Sequence, residues 1–567
     1  KTKVDKKMGE SKPGLFAREA TGLVREVGFM LGVIIIMSHV VGLGWQKRAF
    51  QFTGPRPVPT DQLPLGLPAI FWAFLICGIL VMITGYAAGY VTAAMPRSGG
   101  GYVTISRVIH PVVGYNAGWL MFLAEAFSYG LIGVAVFEAI MIFFNIAGIA
   151  ISFDATTLFI GGVVIIVIFT ALALFGVRLY GWLMHGMFWP TLVITIAFFA
   201  MWIAGAMDPS VVAKGVETVM EAPASTFNTL AVGSGMTDPA NIATFYDAFS
   251  YALAGAFWAY MGWYSVTFIA GEVKEANKKL PMVVLFSGFI IMLIYLGASS
   301  FSAISTMGVE TFTDAAGHEW SFFQSYSWLS YGPEAATDAA AAIPNFQSAW
   351  STGVASIIAR GMNLDWLSLI IAVGGVVWLA NDIPPFLLVA SRTFFAMSFD
   401  RMMPEKFAEV SEKWHSPTWA LIITGIFGIV GCIAESNVGG LGKYTAFAGV
   451  VGTDIFDAVF LTLFCVSMML LPLERKEIYD RAAVKHSVGT VVGLGAIATL
   501  AAAYCLGTFV KESLSFIFTP ASTGDIASCL GFWGCIAAGI LLYVYYMYRN
   551  TTKGVDMRTL YISIPPE

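Results

Sequence analysis

Charge is scarce in this sequence. Asp, Glu, Lys and Arg make up 12% of its 567 residues, about half the share a soluble globular chain carries. That excludes a soluble domain of this size. No basic stripe is present, which argues against nucleic acid as a partner. Cysteine is equally sparse: Cys77, Cys432, Cys465, Cys505, Cys529 and Cys535 all lie in or beside apolar runs. They have no metal-ligand spacing and no disulfide pattern, and read as small buried apolar residues. The histidines His39, His110, His185, His318, His415 and His486 are scattered, without an HExxH cluster. Catalysis is therefore not expected, and no cofactor is implied. The lysine-rich N-terminal stretch shows no cleavage site before its first long apolar run, so no signal peptide is expected.

What is abundant is apolar: 57% of the residues are hydrophobic. This composition predicts an all-α polytopic membrane protein in a lipid bilayer. Twelve spans are expected, near 27–46, 68–94, 112–148, 156–177, 182–206, 243–271, 282–307, 366–398, 418–435, 444–471, 487–510 and 527–548. An even number places both termini on one side. With the N-terminus inside, 24 of the 31 Lys and Arg fall on the inner side and 7 outside. The positive-inside rule then makes both termini cytoplasmic, with the plasma membrane as the expected location.

The organisation follows. A cytoplasmic segment 1–26 precedes a first five-helix block, 27–206. An extracellular loop, 207–242, leads to a second block, 243–471, which contains the extracellular loop 308–365. Helices 11 and 12 occupy 472–548, and 549–567 form a cytoplasmic tail. Loops as long as the two outer ones serve as lids or binding surfaces, or are solvated insertions.

Two spans carry matching interruptions. "MSHVVGLGW" (Met37 to Trp45) and "WAYMGWY" (Trp258 to Tyr264) each place glycine and a following tryptophan inside an apolar helix. One such glycine reads as a close helix–helix contact. Two, each in the first span of a five-span block and running in opposite directions, read as the broken helices of an inverted repeat. Unwound backbone in lipid costs several kcal/mol per unpaired group, so a break must line a polar cavity or a ligand. Freed N–H groups and a positive helix end suit a carboxylate; freed carbonyls suit an ammonium group or a metal cation.

Acids inside spans point the same way, since each costs at least ~2.5 kcal/mol near the bilayer centre. Asp382, in "ANDIPPF", sits mid-span. Pro384 and Pro385 donate no N–H and should free the carbonyls of Ala380 and Asn381, making a cation-binding knot with Asn381 and Asp382. The alternative is a kinked helix whose aspartate pairs locally or stays protonated. Asp454 and Asp457 share a helix face. Glu125 and Glu138 are expected nearer the aqueous ends of their span. Few intramembrane bases accompany these acids, which tilts the substrate or coupling ion toward positive charge.

Three stretches carry a resemblance: "MPRSGGGYVTISR" (Met95 to Arg107), "FIAGEVKEANKKLP" (Phe268 to Pro281) and "SRTFFAMSFDRMMP" (Ser391 to Pro404). The sequence resembles the amino acid–polyamine–organocation superfamily, whose LeuT-like fold has two inverted five-helix repeats with discontinuous helices 1 and 6. Here two further C-terminal helices would follow. The resemblance implies a permease that moves amino acids or related amines by alternating access, coupled to sodium or protons. Matched by position, its substrate site would use Ser38, His39, Gly42, Leu43 and Gly44 from span 1. Span 6 would supply Trp258, Ala259, Met261 and Gly262, with Trp258 as an aromatic gate or a packing residue. Cation coupling would fall to Asn381, Asp382, Glu125, Asp454 and Asp457.

The sequence departs from the family at Leu43, where many members have serine, and at His39, where a small or amide-bearing residue is usual. His39 is either functional or a neutral, hydrogen-bonded core residue. Span 5 lacks the lysine that some members use in place of sodium. These departures keep a cationic amine without a carboxylate (a methylamine or polyamine) open as substrate, and a non-transporting sensor remains a third reading. A metal requirement and the choice of monomer or homodimer stay open.

Overall fold

Backbone in oil must bond to itself, and helix is the local solution. The computed structural model describes residues 14–149 and 151–566; the first half of the expected N-terminal segment, 1–13, lies outside the described residues. Helix α1 (Phe29–Val40) is followed after two residues by α2 (Leu43–Gln51). Then come α3 (Ala69–Ala94), α4 (Gly100–Val108), α5 (Pro111–Ile146), α6 (Ala155–Ala173) and α7 (Val177–Met207). Two short helices, α8 (Pro209–Met220) and α9 (Ala224–Gly233), occupy the first long loop. An irregular stretch separates α10 (Phe245–Tyr260) from α11 (Ala276–Met307). The second long loop folds as a hairpin, β1 (Thr311–Thr313) with β2 (Glu319–Ser321), then α12 (Phe322–Tyr331), α13 (Glu334–Ala340) and α14 (Ser351–Gly361). The chain continues through α15 (Asp365–Phe399), α16 (Thr418–Ser436), α17 (Val450–Glu474) and α18 (Lys476–Arg481). It ends with α19 (Val488–Glu512), α20 (Leu514–Ile517), α21 (Thr523–Thr552) and α22 (Met557–Ile562).

Among the described residues, 11 helical stretches are long and apolar enough to cross a membrane, α1 and α2 counting as one. The protein is an all-α polytopic membrane protein. The expected span 243–271 is the one that falls short. Thr244 caps α10 by accepting the Asp247 N–H, but the helix has only 16 residues and stops at Tyr260. Most expected boundaries lie within a few residues of the helices. Span 1 differs: α2 continues to Gln51 and carries Lys47 and Arg48 with it.

The most extensive packing joins α5 to α15 and α3 to α11, with α16 closing on α5 and α17 on α19. Several loop segments distant in sequence meet. Val27 donates to Glu272 O at 2.9 Å and accepts from Lys274 N at 2.8 Å. Arg392 binds Glu272 through two bonds of 2.9 and 3.1 Å, both side chains buried. Arg107 does the same to Asp400 at 2.6 and 2.8 Å, joined by the Tyr102 hydroxyl at 2.8 Å. The chain's last stretch docks there too, through Arg475 to Ile562 O and Arg97 to Pro565 O.

The long loops also pack together. Gln324 donates to Val58 O at 3.2 Å, and the Glu319 N–H reaches Asp61 at 3.0 Å. Residues 322–330 of α12 are all buried, and this helix packs on α2, α9 and α11. α12 and α14 of the second loop are packed rather than solvated, while its hairpin and α13 stay largely exposed.

Candidate functional site

Both interruptions expected from the glycines exist, and they face each other. The first falls between α1 and α2, where Val41 (φ −84°, ψ 60°) and Gly42 (φ −117°, ψ −112°) leave the helical region. Any Cβ at Gly42 would overlap the Asp382 side chain. The second follows Tyr260. Met261 is extended (φ −52°, ψ 142°) and Gly262 has φ +91°, a conformation only glycine adopts readily. Beyond it the chain makes only short 3-10 turns, Ser265–Phe268 and Ala270–Glu272. Gly44 lies directly against Ala259, so the two breaks touch.

A third helix ties them together. The buried Tyr295 hydroxyl, from α11, faces the carbonyls of both Val40 and Ala259, the latter at 2.7 Å. A hydroxyl has one proton to donate, so the two carbonyls share it. Tyr295→Phe should therefore remove the hydroxyl from both breaks at once, leaving Val40 O with the Gly42 N–H alone. The expected cost is about 1–3 kcal/mol, read as a lower unfolding midpoint of the purified protein in detergent. An unchanged midpoint would remove Tyr295 from this role.

Between the breaks lies a cavity of about 40 Å³. That is room for a few water molecules. His39, Val40 and Gly44 line it from span 1, and Trp258, Ala259 and Met261 from α10 and its end. Glu125 and Ser128 approach from α5, Asp382 and Phe386 from α15, and Thr453, Asp454 and Asp457 from α17. All four acids are 5% exposed or less.

His39 Nε2 faces Glu125 Oε2 at 3.2 Å, with Phe386 edge-on to the imidazole at 4.2 Å between ring centres. A Cβ at Gly262 would press on the same imidazole, at 2.6 Å. Asp457 accepts the Tyr264 hydroxyl, just past the second break. Arg48 lays its guanidinium over the Trp258 ring at 3.7 Å. Among the described residues no group of three His, Cys, Asp or Glu side chains is arranged to hold a metal.

Of the expected substrate residues, His39, Gly44, Trp258, Ala259 and Met261 line the cavity, whereas Ser38, Gly42, Leu43 and Gly262 do not. Of the expected cation residues, Asp382, Glu125, Asp454 and Asp457 line it and Asn381 does not. One expectation needs correction. Glu125 is not near an aqueous end: it is 3% exposed. The span is 36 residues long, far more than a bilayer needs, so the position of its centre could not be read from its ends. α15 runs through Pro384 and Pro385 as one helix. Asn381 turns to span 1, donating to Ser38 Oγ at 2.7 Å. Tyr264, Tyr295 and Arg48 were not anticipated. Their partners are far away in sequence, and only the lone polar tips in apolar surroundings hinted at them.

A family model described as "Amino acid permease" matches residues 29–525. The b(0,+)-type amino acid transporter 1 of Mus musculus is 22% identical over 279 residues, 49% of this chain and 51% of that protein; the chain thus spans about half the length of these relatives. An uncharacterized transporter of Mycobacterium tuberculosis (strain ATCC 25618 / H37Rv) is 22% identical over 446 residues, 78% of this chain and 81% of its own length. The cystine/glutamate transporter of Pongo abelii is 21% identical over 458 residues, covering 80% and 76% of the two chains.

Proposed function

The chain belongs to the amino acid permease family, and from that premise we propose that it is a secondary active transporter of amino acids or related amines, working by alternating access. The observation that carries this reading is the cavity enclosed between two interrupted helices. At about 40 Å³ it holds water but no amino acid, which fits a closed stage of a cycle in which the breaks part to admit substrate. Irregular backbone at this depth is tolerated only where it lines such a cavity. The α10 segment and its irregular continuation then form the twelfth crossing, in the first helix of the second inverted repeat. The pairings of α5 with α15 and α3 with α11 support that symmetry, since they join spans 3 to 8 and 2 to 7. The gate role is assigned to Trp258, whose ring packs under Arg48.

Coupling to a proton or sodium gradient is assigned to the carboxyl groups around the breaks. Asp457 is the best placed, bonded to Tyr264 and sharing the cavity with Glu125, His39 and Asp454. Asp457→Asn keeps an acceptor for Tyr264 but cannot change charge. Its expected phenotype in proteoliposomes is preserved exchange with loss of gradient-driven accumulation. Counterflow of radiolabelled substrate by the wild type, with and without sodium and pH gradients, tests the whole reading. Binding without counterflow would make the protein a sensor instead, and undiminished accumulation by Asp457→Asn would move coupling elsewhere.

A further inference from the structure

Two helix ends at the first break differ in charge, and one is already satisfied. The N-terminus of α2, nine residues long, is a positive helix end of the kind that holds a carboxylate. In this protein a carboxylate is there: Asp382 lies against Gly42, the residue that precedes α2, so closely that no Cβ would fit. The second break offers no replacement, because only short 3-10 turns follow Gly262.

The negative ends remain. Both α1, ending at Val40, and α10, ending at Tyr260, point carbonyls toward the breaks, and one Tyr295 hydroxyl serves Val40 and Ala259 together. The other oxygen of Asp382, Oδ1, is buried without a hydrogen-bond partner, on a side chain that lines the cavity. Against these stand one histidine in the wall and Arg48 over Trp258. A buried acceptor beside helix C-termini calls for a donor of positive charge.

Resting on the transport reading above, we infer that Asp382 occupies the place of a substrate carboxylate, so that the site takes an organic cation that has an ammonium group and no carboxylate. The ammonium group meets Asp382 Oδ1 and the carbonyls at the breaks. An amino acid would bring a second carboxylate toward a helix end already filled and a wall of acids, where like charges oppose it.

Matched pairs test this: lysine with cadaverine, ornithine with putrescine, and phenylalanine with phenethylamine. Each is measured by thermal stabilisation of the purified full chain and by counterflow in proteoliposomes. At least one amine is expected to bind more tightly than its parent amino acid by about 100-fold. In Asp382→Ala the helix end is vacated, and that preference is expected to fall by about tenfold or more. Amino acids binding as well as their amines in the wild type would overturn the inference while leaving the transport reading intact. A preference unchanged in a folded Asp382→Ala would likewise overturn it. If Asp382→Ala does not fold, the wild-type pairs decide alone. Absence of counterflow for every compound of both kinds would overturn the transport reading and the inference with it.

Discussion

Gly262→Ala is expected to lower counterflow by about 100-fold. Two costs combine at this position. A residue with a Cβ held at φ +91° stores about 1–3 kcal/mol of backbone strain. The same Cβ would come within 2.6 Å of the His39 imidazole, which has Glu125 on one side and Phe386 on the other. The ring has nowhere to go without opening the cavity wall. Each 1.4 kcal/mol is a factor of ten in population or rate, so strain of this size at the break accounts for the loss. Gly262→Ala combined with His39→Ala separates the two contributions: relief of the clash should recover about tenfold, leaving the strain. Wild-type counterflow in the single variant would mean that the second break does not lie at the transport site.

The breaks were legible because they violate a local rule. Glycine mid-span is wasteful unless the helix stops there, and "GLGW" and "MGWY" announce it without any knowledge of neighbours. The acids were legible for a similar reason, since a carboxyl group in an apolar run has a standing cost. What each acid does was not legible. Asp382 and Gly42 are hundreds of residues apart, and no periodicity or spacing records that one meets the other. The prolines after Asp382 suggested a local cation knot, but the neighbour that mattered was another helix. Tyr295 gave no more than one polar tip in "IMLIYLGAS": an aromatic in a span is usually packing, and its meaning comes from the two carbonyls that α1 and α10 bring to it.

A second large effect is expected at the end of the bundle where Arg392 meets Glu272. Arg392 and Glu272 are 2% and 0% exposed and bond to each other twice. Glu272 belongs to the short turns beyond the second break, and its carbonyl also holds Val27 ahead of α1. The pair therefore joins α15 to the ends of both interrupted spans. Arg392→Met leaves a buried carboxylate with its main partner gone, and is expected to destabilise the protein by about 3–5 kcal/mol. Denaturant unfolding in detergent would measure it. The double variant Arg392→Met with Glu272→Leu removes both charges and is expected to regain most of that stability. Transport adds a second readout. If the cavity opens toward this end, the pair must part in each cycle, and replacing it with an apolar contact should change the exchange rate even where stability is restored. A single variant that loses less than about 1 kcal/mol would mean that the pair is wet in the working protein, and that closure at this end rests on the Val27 backbone bridge instead.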